Sequence, residues 1–356
     1  MKTNSIFKDR LYSLPSSGRI TSAETKIIKR ILDHSKCDIP IEKLSLVCFE
    51  EDYDFYEIRN NDGIFELKFS LDHKSEKFIR EIKNIKNCKS IATSKYLDDG
   101  IVKVGDKILY LICESKMSES LFDYGRSYLS TELNLFCDIY EDFASRDNYR
   151  ITYKTILNKL LEESDMSSIF DQDQKSYIES HSDYNRCELI INNLKSDIKQ
   201  RLKLIPKKYT GNIVGDFNKN SLFVTQDGFS FKDLRYACKG HFYSDVINLV
   251  LFHGFNKNIE KAILNRVSDR MGVPINQELY DTFYEIQLRV KALQYLLQYL
   301  KEVYLYESSR IEIIISIIDS FSQNYQRLCK IPIIKDHRRF ILTNITEPIL
   351  ESKLED

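Results

Sequence analysis

Gly215-Asp216-Phe217-Asn218-Lys219-Asn220-Ser221-Leu222-Phe223-Val224 puts a carboxylate at the mouth of a turn and runs directly into an apolar strand. Asp227-Gly228 then reverses the chain, and Phe229-Ser230-Phe231-Lys232-Asp233 is a second short strand that ends in a second carboxylate. Apolar runs on both sides of an Asp-Gly pair predict a β-hairpin. Two carboxylates on its adjacent arms can stand on either side of a metal-bound nucleotide. One would accept a proton from an attacking hydroxyl, and the other would hold the cation that bridges the phosphates.

Upstream of the hairpin the periodicity changes twice. Thr21-Ser22-Ala23-Glu24 has the Thr/Ser-x-x-Glu pattern in which hydroxyl and carboxylate cap each other's backbone donors, and Ile27, Ile28, Ile31 and Leu32 continue at helical spacing to about His34. Leu44–Phe49, Phe55–Ile58 and Ile64–Phe69 are short β-rich runs, the last two joined by the turn-forming Asn60-Asn61-Asp62-Gly63, and predict a three-stranded antiparallel meander. A charged helix over 75–87 carries Phe78, Ile79, Ile82 and Ile85 on one face. Two more strands are expected at Ile101–Val104 and Ile108–Cys113, on either side of Gly105-Asp106. Five strands and a helix form a small domain ending near 115. Beyond 120 the pattern is mainly helical, with helices expected at 130–145, 151–163, 174–181, 185–203, 244–253, 258–270, 276–307 and 309–328. The hairpin sits among them.

Composition removes several classes of function. The 356 residues carry 52 Lys+Arg against 53 Asp+Glu, a net charge of −1, whereas phosphate-backbone binding normally shows as a basic excess; no nucleic-acid partner is expected. The densest apolar run, Ile311–Ile318, is far short of the ~20 residues of a membrane span and carries Glu312 and Ser316. The first 17 residues lack the apolar stretch of a signal peptide. Eight cysteines are scattered with no Cys-x-x-Cys pair, as expected of reduced thiols in a cytoplasmic protein without a metal–cysteine site.

The ordered set of motifs resembles the aminoglycoside phosphotransferase and choline kinase group, small-molecule kinases with a protein-kinase-like fold. The group's pattern is roughly His-Gly-Asp-x-His-x-x-Asn followed by an apolar run, then a strand ending in Asp, then Gly-x-x-x-x-Asp opening a helix. Gly215-Asp216 matches the Gly-Asp pair and Leu222-Phe223-Val224 the apolar run. Asp233 stands seven residues before Gly240, and Gly240 to Asp245 reproduces the last spacing. In the small domain, Lys68 sits where the group has its phosphate-contacting strand lysine. Glu81, thirteen residues on, sits where the lysine's partner glutamate belongs. Leu109–Ser115 looks like the strand leading into the hinge.

The resemblance implies an α+β, protein-kinase-like bilobal fold. It consists of an N-terminal extension (1–19), a small five-stranded antiparallel N-lobe (20–115) and a mainly helical C-lobe (116–350) whose catalytic and metal loops lie at 212–245. It implies ATP- or GTP-dependent phosphoryl transfer to a hydroxyl of a small molecule of the aminoglycoside, choline, sugar or amino-alcohol type. Asp216 is then the catalytic base, and Asp233 with Ser221 or Asn220 holds Mg²⁺. Lys68 and Glu81 position the phosphates, the backbone at Cys113 and Ser115 meets adenine, and Gly240 and Asp245 brace the catalytic loop.

The departures point elsewhere. Val214 and Asn218 replace the two histidines, and Ser221 stands at the metal-binding Asn position. The expected phosphate loop, Glu50-Glu51-Asp52-Tyr53-Asp54, has four acids and no glycine. These features favour the alternative, an inactive pseudokinase serving as a binding or scaffold module. Tyr280, Phe283, Tyr284, Tyr295, Tyr299, Tyr304 and Tyr306 read first as helix packing, and second as an aromatic wall for a cationic acceptor.

Overall fold

The computed structural model describes residues 20–49, 53–88, 90–116, 118–146, 149–164, 184–217, 221–305, 327–328 and 330–336. The expected helix at 174–181, nearly all of that at 309–328, Asn220 and most of the acidic loop lie outside these residues. The chain divides into two compact units. The first takes the described residues up to Arg150 with Thr210–Asp245 and Lys261–Val273; the second takes Ile151–Tyr209, Val246–Glu260 and the described residues from Pro274.

The first unit begins with helix α1 (Ser22–His34), where the capping box forms as expected. Thr21 N donates to Glu24 Oε2 at 2.6 Å, and Glu24 N donates to Thr21 Oγ1 at 3.2 Å. Glu24 also accepts from Tyr56 Oη at 2.9 Å, so the cap docks the helix on the sheet. Strands β1 (Lys43–Phe49), β2 (Asp54–Asn60), β3 (Gly63–Ser70), β4 (Lys95–Val104) and β5 (Asp106–Ser115) form an antiparallel sheet in the order β1-β2-β3-β5-β4. Ile27, Ile28, Ile31 and Leu32 of α1 close one core with Tyr56, Ile58, Leu67, Phe69, Tyr110 and Ile112 of the sheet. Each such side chain, fully buried, contributes roughly 1.5–3 kcal/mol. Because side chains alternate along a strand, burying Leu67 and Phe69 in this core turns Glu66 and Lys68 to the other face. On that face lies helix α2 (Glu76–Asn87), which supplies Glu81 to Lys68.

β4 and β5 are longer than their sequence signals, and β4 starts at Lys95 rather than near 101. Asp98-Asp99-Gly100 looks like a turn, but Asp98 accepts from Tyr110 Oη at 3.1 Å and from Lys36 N at 3.0 Å, inside the sheet.

After β6 (Ser118–Ser120) come helices α3 (Leu121–Tyr124), α4 (Arg126–Thr131) and α5 (Leu133–Ser145). The predicted hairpin is present as β8 (Leu222–Thr225) and β9 (Gly228–Phe231), and β6 pairs with β8. Aromatic packing seats the hairpin on α5: Phe231 lies 5.3 Å from Phe143 and 5.8 Å from Phe217, and Phe229 lies 5.6 Å from Phe136. Two three-residue strands that the sequence does not announce, β7 (Gly211–Ile213) and β10 (Cys238–Gly240), pair antiparallel on either side of it.

In the second unit, helices α6 (Tyr153–Glu163), α7 (Tyr184–Leu202), α10 (Gln277–Leu305) and α11 (Pro332–Asp336) pack together. Between them in sequence run α8 (Phe242–His253), whose N-terminal turn carries Asp245, and α9 (Lys257–Met271). Arg289 holds Asp197 at 3.1 Å, and Gln287 donates to Tyr153 Oη at 2.6 Å. Tyr280 and Phe283 of the aromatic series are buried here: Tyr280 donates to Glu260 at 2.7 Å, and the Phe283 ring lies tilted 5.8 Å from that of Tyr153. Both do packing work. The side chains of Tyr295, Tyr299 and Tyr304, and all of Tyr306, lie outside the described residues. Among the described residues no helix is long and apolar enough to cross a membrane, and six cysteines are free thiols.

Candidate functional site

β3, α2 and the segment after β9 bring six charged side chains together inside the first unit. Lys68 donates Nζ to Glu81 Oε1 and, at 2.6 Å, to the main-chain oxygen of Lys232. Lys232 turns its own ammonium to Glu66 Oε1 at 2.6 Å and donates to Ser115 Oγ at 3.2 Å; Ser115 in turn donates to Glu66 Oε1 at 2.5 Å. Arg235 grips Asp233, with Nε 3.0 Å from Oδ1 and Nη2 2.7 Å from Oδ2. The side chains of all six are at most 5% exposed. Three cations and three anions are therefore buried as three pairs, the arrangement that buried charge requires.

Helix α2 also fixes the backbone after Asp233. Asn84 donates Nδ2 to Leu234 O at 2.7 Å and to Ala237 O at 3.2 Å, while Phe231 N donates to Ala92 O at 2.6 Å. Aromatic rings line the cluster: the Lys68 ammonium is 5.0 Å from the Tyr53 centroid and 4.9 Å from that of Phe55, and the Arg235 guanidinium is 5.0 Å from Tyr53.

These surroundings set the protonation states. Burial works against the Lys68 ammonium, but Glu81, Asp233 and Glu66 overcome it and hold its pKa above the ordinary lysine value. Burial likewise opposes the charge on Asp233 and on Glu66. Arg235 overrides it for Asp233, and Lys232 with Lys68 does so for Glu66, so both carboxyls sit below their usual range. Glu81 is pushed up to about 7 by burial; its second oxygen, Oε2, is buried with no hydrogen-bond partner.

The loop bearing Asp216 is held by Asp245. Asp245 Oδ2 accepts from Val214 N at 2.7 Å and from Tyr140 Oη at 2.9 Å, and Oδ1 accepts from Gly215 N at 2.8 Å. Burial raises its carboxyl to about 7, and nearby Asp216 adds to that rise. Gly215 has φ +87°, and a Cβ there would stand 2.2 Å from the Tyr236 carbonyl oxygen, so the position requires glycine. Ser221, fully buried, donates Oγ to the Asp216 carbonyl at 2.8 Å, and its own carbonyl accepts from Lys232 N at 3.1 Å. The Asp216 turn is thereby tied to the segment that leads into Asp233.

Of the residues singled out in the sequence, Lys68, Glu81 and Asp233 share one cluster, while Gly215, Asp216 and Ser221 belong to the adjoining turn that Asp245 holds from the start of α8. Gly240 lies in β10 opposite Gly211, where a Cβ would stand 2.3 Å from Ile213 Cδ1. Cys113 is buried in β5 opposite Glu66, and burial pushes its thiol well above the ordinary value. Asp54 is a buried residue of β2, not a loop acid facing outward. Sequence reasoning passed over Glu66, Lys232 and Arg235. The available signal was three charges at strand or strand-end positions next to residues already under suspicion.

The donors at hand fit a hard divalent cation in kind. Asp233 offers carboxylate oxygens and Ser221 a hydroxyl, although among the described residues no group of three His, Cys, Asp or Glu side chains forms a metal cage.

No protein-family model matches the sequence, and no curated protein does so significantly. Solved structures do. The chain is similar to the amicoumacin kinase hAmiN in complex with AMP-PNP, Ca²⁺ and Ami, at 13% identity over 87% of this chain and 94% of that one, with a TM-score of 0.55. It is similar to the choline kinase LicA from Streptococcus pneumoniae, at 15% identity over 85% and 99%, TM-score 0.54. A choline/ethanolamine kinase family protein from Mesorhizobium loti matches at 9% identity over 87% and 96%, TM-score 0.58. The five-stranded sheet with its helical remainder is the protein-kinase-like fold of the aminoglycoside phosphotransferases and choline kinases, carried here by a highly divergent sequence.

Proposed function

We propose that this protein is a nucleotide-dependent phosphotransferase whose acceptor is a hydroxyl of a small molecule. The observation that carries the reading is the placement of Lys68, held between Glu81 and the Lys232 carbonyl, beside the segment that ends in Asp233. Fixing the ammonium from two sides orients it without neutralising its pull on phosphate oxygens. Asp233 and Ser221, with Asn220, would hold the divalent cation, which when bound neutralises charge on the transferring phosphoryl group. Asp216 would accept the acceptor's hydroxyl proton from a loop that Asp245 keeps rigid. Backbone at Cys113 and Ser115 would meet the base. The similar structures include a choline kinase and an amicoumacin kinase in complex with AMP-PNP, Ca²⁺ and Ami, which makes choline-type amino alcohols and hydroxyl-bearing antibiotics the first acceptors to try.

A second reading, a kinase-shaped binding module without turnover, is favoured by one specific observation: Arg235 occupies both oxygens of Asp233. The test is thermal shift with ATP and GTP, each with and without Mg²⁺, followed by ADP release against a panel of amino alcohols and aminoglycosides. A Mg²⁺-dependent rise in Tm, lost in Asp233→Ala, with ADP release on at least one acceptor, supports the phosphotransferase. Binding without ADP release supports the module, and no shift with either nucleotide overturns the phosphotransferase and leaves a kinase-shaped binding module.

A further inference from the structure

The carboxylate assigned to the metal already has a cation. Arg235 makes a two-pronged contact to both oxygens of Asp233, and its backbone N–H adds a third bond to Oδ1 at 3.2 Å. The guanidinium is 5% exposed and lies flanked by Tyr53 at 5.0 Å and Tyr236 at 5.8 Å. A planar fork of this kind uses the same carboxylate lone pairs that a divalent cation would take. The two therefore compete for Asp233.

Charge balance says what must accompany the exchange. Among the described side chains, Lys68, Lys232 and Arg235 pair one to one with Glu81, Glu66 and Asp233. A dication added alone would leave two uncompensated charges in a buried site, which is costly. Nucleotide phosphates bring the missing negative charge. Arg235, displaced from Asp233, loses an anion, and those phosphates supply one beside it.

We propose that Arg235 is an exchangeable counter-ion: it holds Asp233 until a divalent cation displaces it, and then pairs with the phosphates of the incoming nucleotide. This rests on the phosphotransferase reading of the site. It gives the site a phosphate-binding cation that the glycine-free loop before Tyr53 does not provide.

The test uses the full chain and two probes, Mn²⁺ followed by electron paramagnetic resonance with no nucleotide present, and the fluorescent nucleotide mant-ADP with Mn²⁺. Arg235→Gln is expected to bind Mn²⁺ about tenfold more tightly than wild type, a gain that Asp233→Asn cancels, and to bind mant-ADP about tenfold more weakly. Arg235→Lys, which keeps the charge but not the fork, should fall between on both measures, and it supplies the same comparison should Arg235→Gln fail to fold. Unchanged Mn²⁺ affinity in the variants, or mant-ADP affinity equal to or above wild type, overturns the proposal while leaving the phosphotransferase reading intact. Absence of mant-ADP binding to the wild-type protein overturns that reading and this proposal with it.

Discussion

Lys232 binds Glu66 through its ammonium at 2.6 Å while its own carbonyl accepts from Lys68, so one residue ties both charged positions of β3 to the strand end that carries Asp233. Glu66 and Lys232 are each about 2% exposed. A buried pair adds little net stability because both charges are desolvated, but removing one partner strands the other.

Glu66→Gln or Lys232→Met should each lower unfolding free energy by about 3–5 kcal/mol, and the double change Glu66→Leu with Lys232→Met should recover most of that loss. Urea denaturation of the three variants measures it. Singles costing under about 1 kcal/mol, or a double variant as weak as the sum of the singles, would show that the pair is not the buried unit described.

Gly215→Ala meets two obstacles at once, a φ of +87° and a carbonyl oxygen 2.2 Å from the new Cβ. The turn must open, which disturbs the bonds from Val214 and Gly215 to Asp245. A loss of more than about 2 kcal/mol is expected. The same change at Gly105, where φ is +76° but nothing lies within 4 Å, should cost less, about 1 kcal/mol. Equal losses at the two sites would mean that the contact with Tyr236 plays no part.

Local pattern was enough for the elements whose stabilising contacts are local. The Thr21–Glu24 box is complete within four residues, and the hairpin is announced by Asp227-Gly228 between apolar runs. It was not enough where distant residues decide. Gly100 sits inside β4 because Tyr110 lies across it, with a Cβ there falling 2.9 Å from the tyrosine oxygen. The pairing of β7 with β10 involves strands too short to show alternation. In the same way, Lys68, Glu81 and Asp233 could be placed by resemblance to the kinase pattern, but Glu66 finds its partner at Lys232, far along the chain, and nothing near either residue shows that both are buried.

His241 gives the fold a measurable acid sensitivity. Burial pushes its imidazole down to about 4, below the ordinary unfolded value of about 6.5. The unfolded chain thus binds a proton that the folded chain refuses. Stability from this group is complete above about pH 6.5 and declines as pH falls toward 4, by up to about 1.4 kcal/mol per unit. Asp245 and Glu81, both raised to about 7 mainly by burial, act in the opposite direction over part of that range. The group's own effect is therefore read as a difference. Between pH 6.5 and 4.5, wild type should lose about 2 kcal/mol more than His241→Phe in urea titrations. Parallel curves would show that the imidazole stays charged in the fold.

On the proposed function, Asp216 serves proton transfer and not nucleotide binding. Its main chain is fixed on both sides, by Asp245 on the Gly215 N–H and by Ser221 Oγ on its own carbonyl, so Asp216→Asn should leave the loop in place. The asparagine cannot accept a proton in the way a carboxylate does. ADP release on the best amino-alcohol or aminoglycoside acceptor should fall by about 10²–10⁴, with nucleotide affinity unchanged within about threefold. Lys68→Met should instead weaken nucleotide binding itself. Turnover that survives Asp216→Asn would remove the proton-accepting role and move the search for a base to another carboxylate. A parallel loss of nucleotide affinity would show instead that the loop had moved.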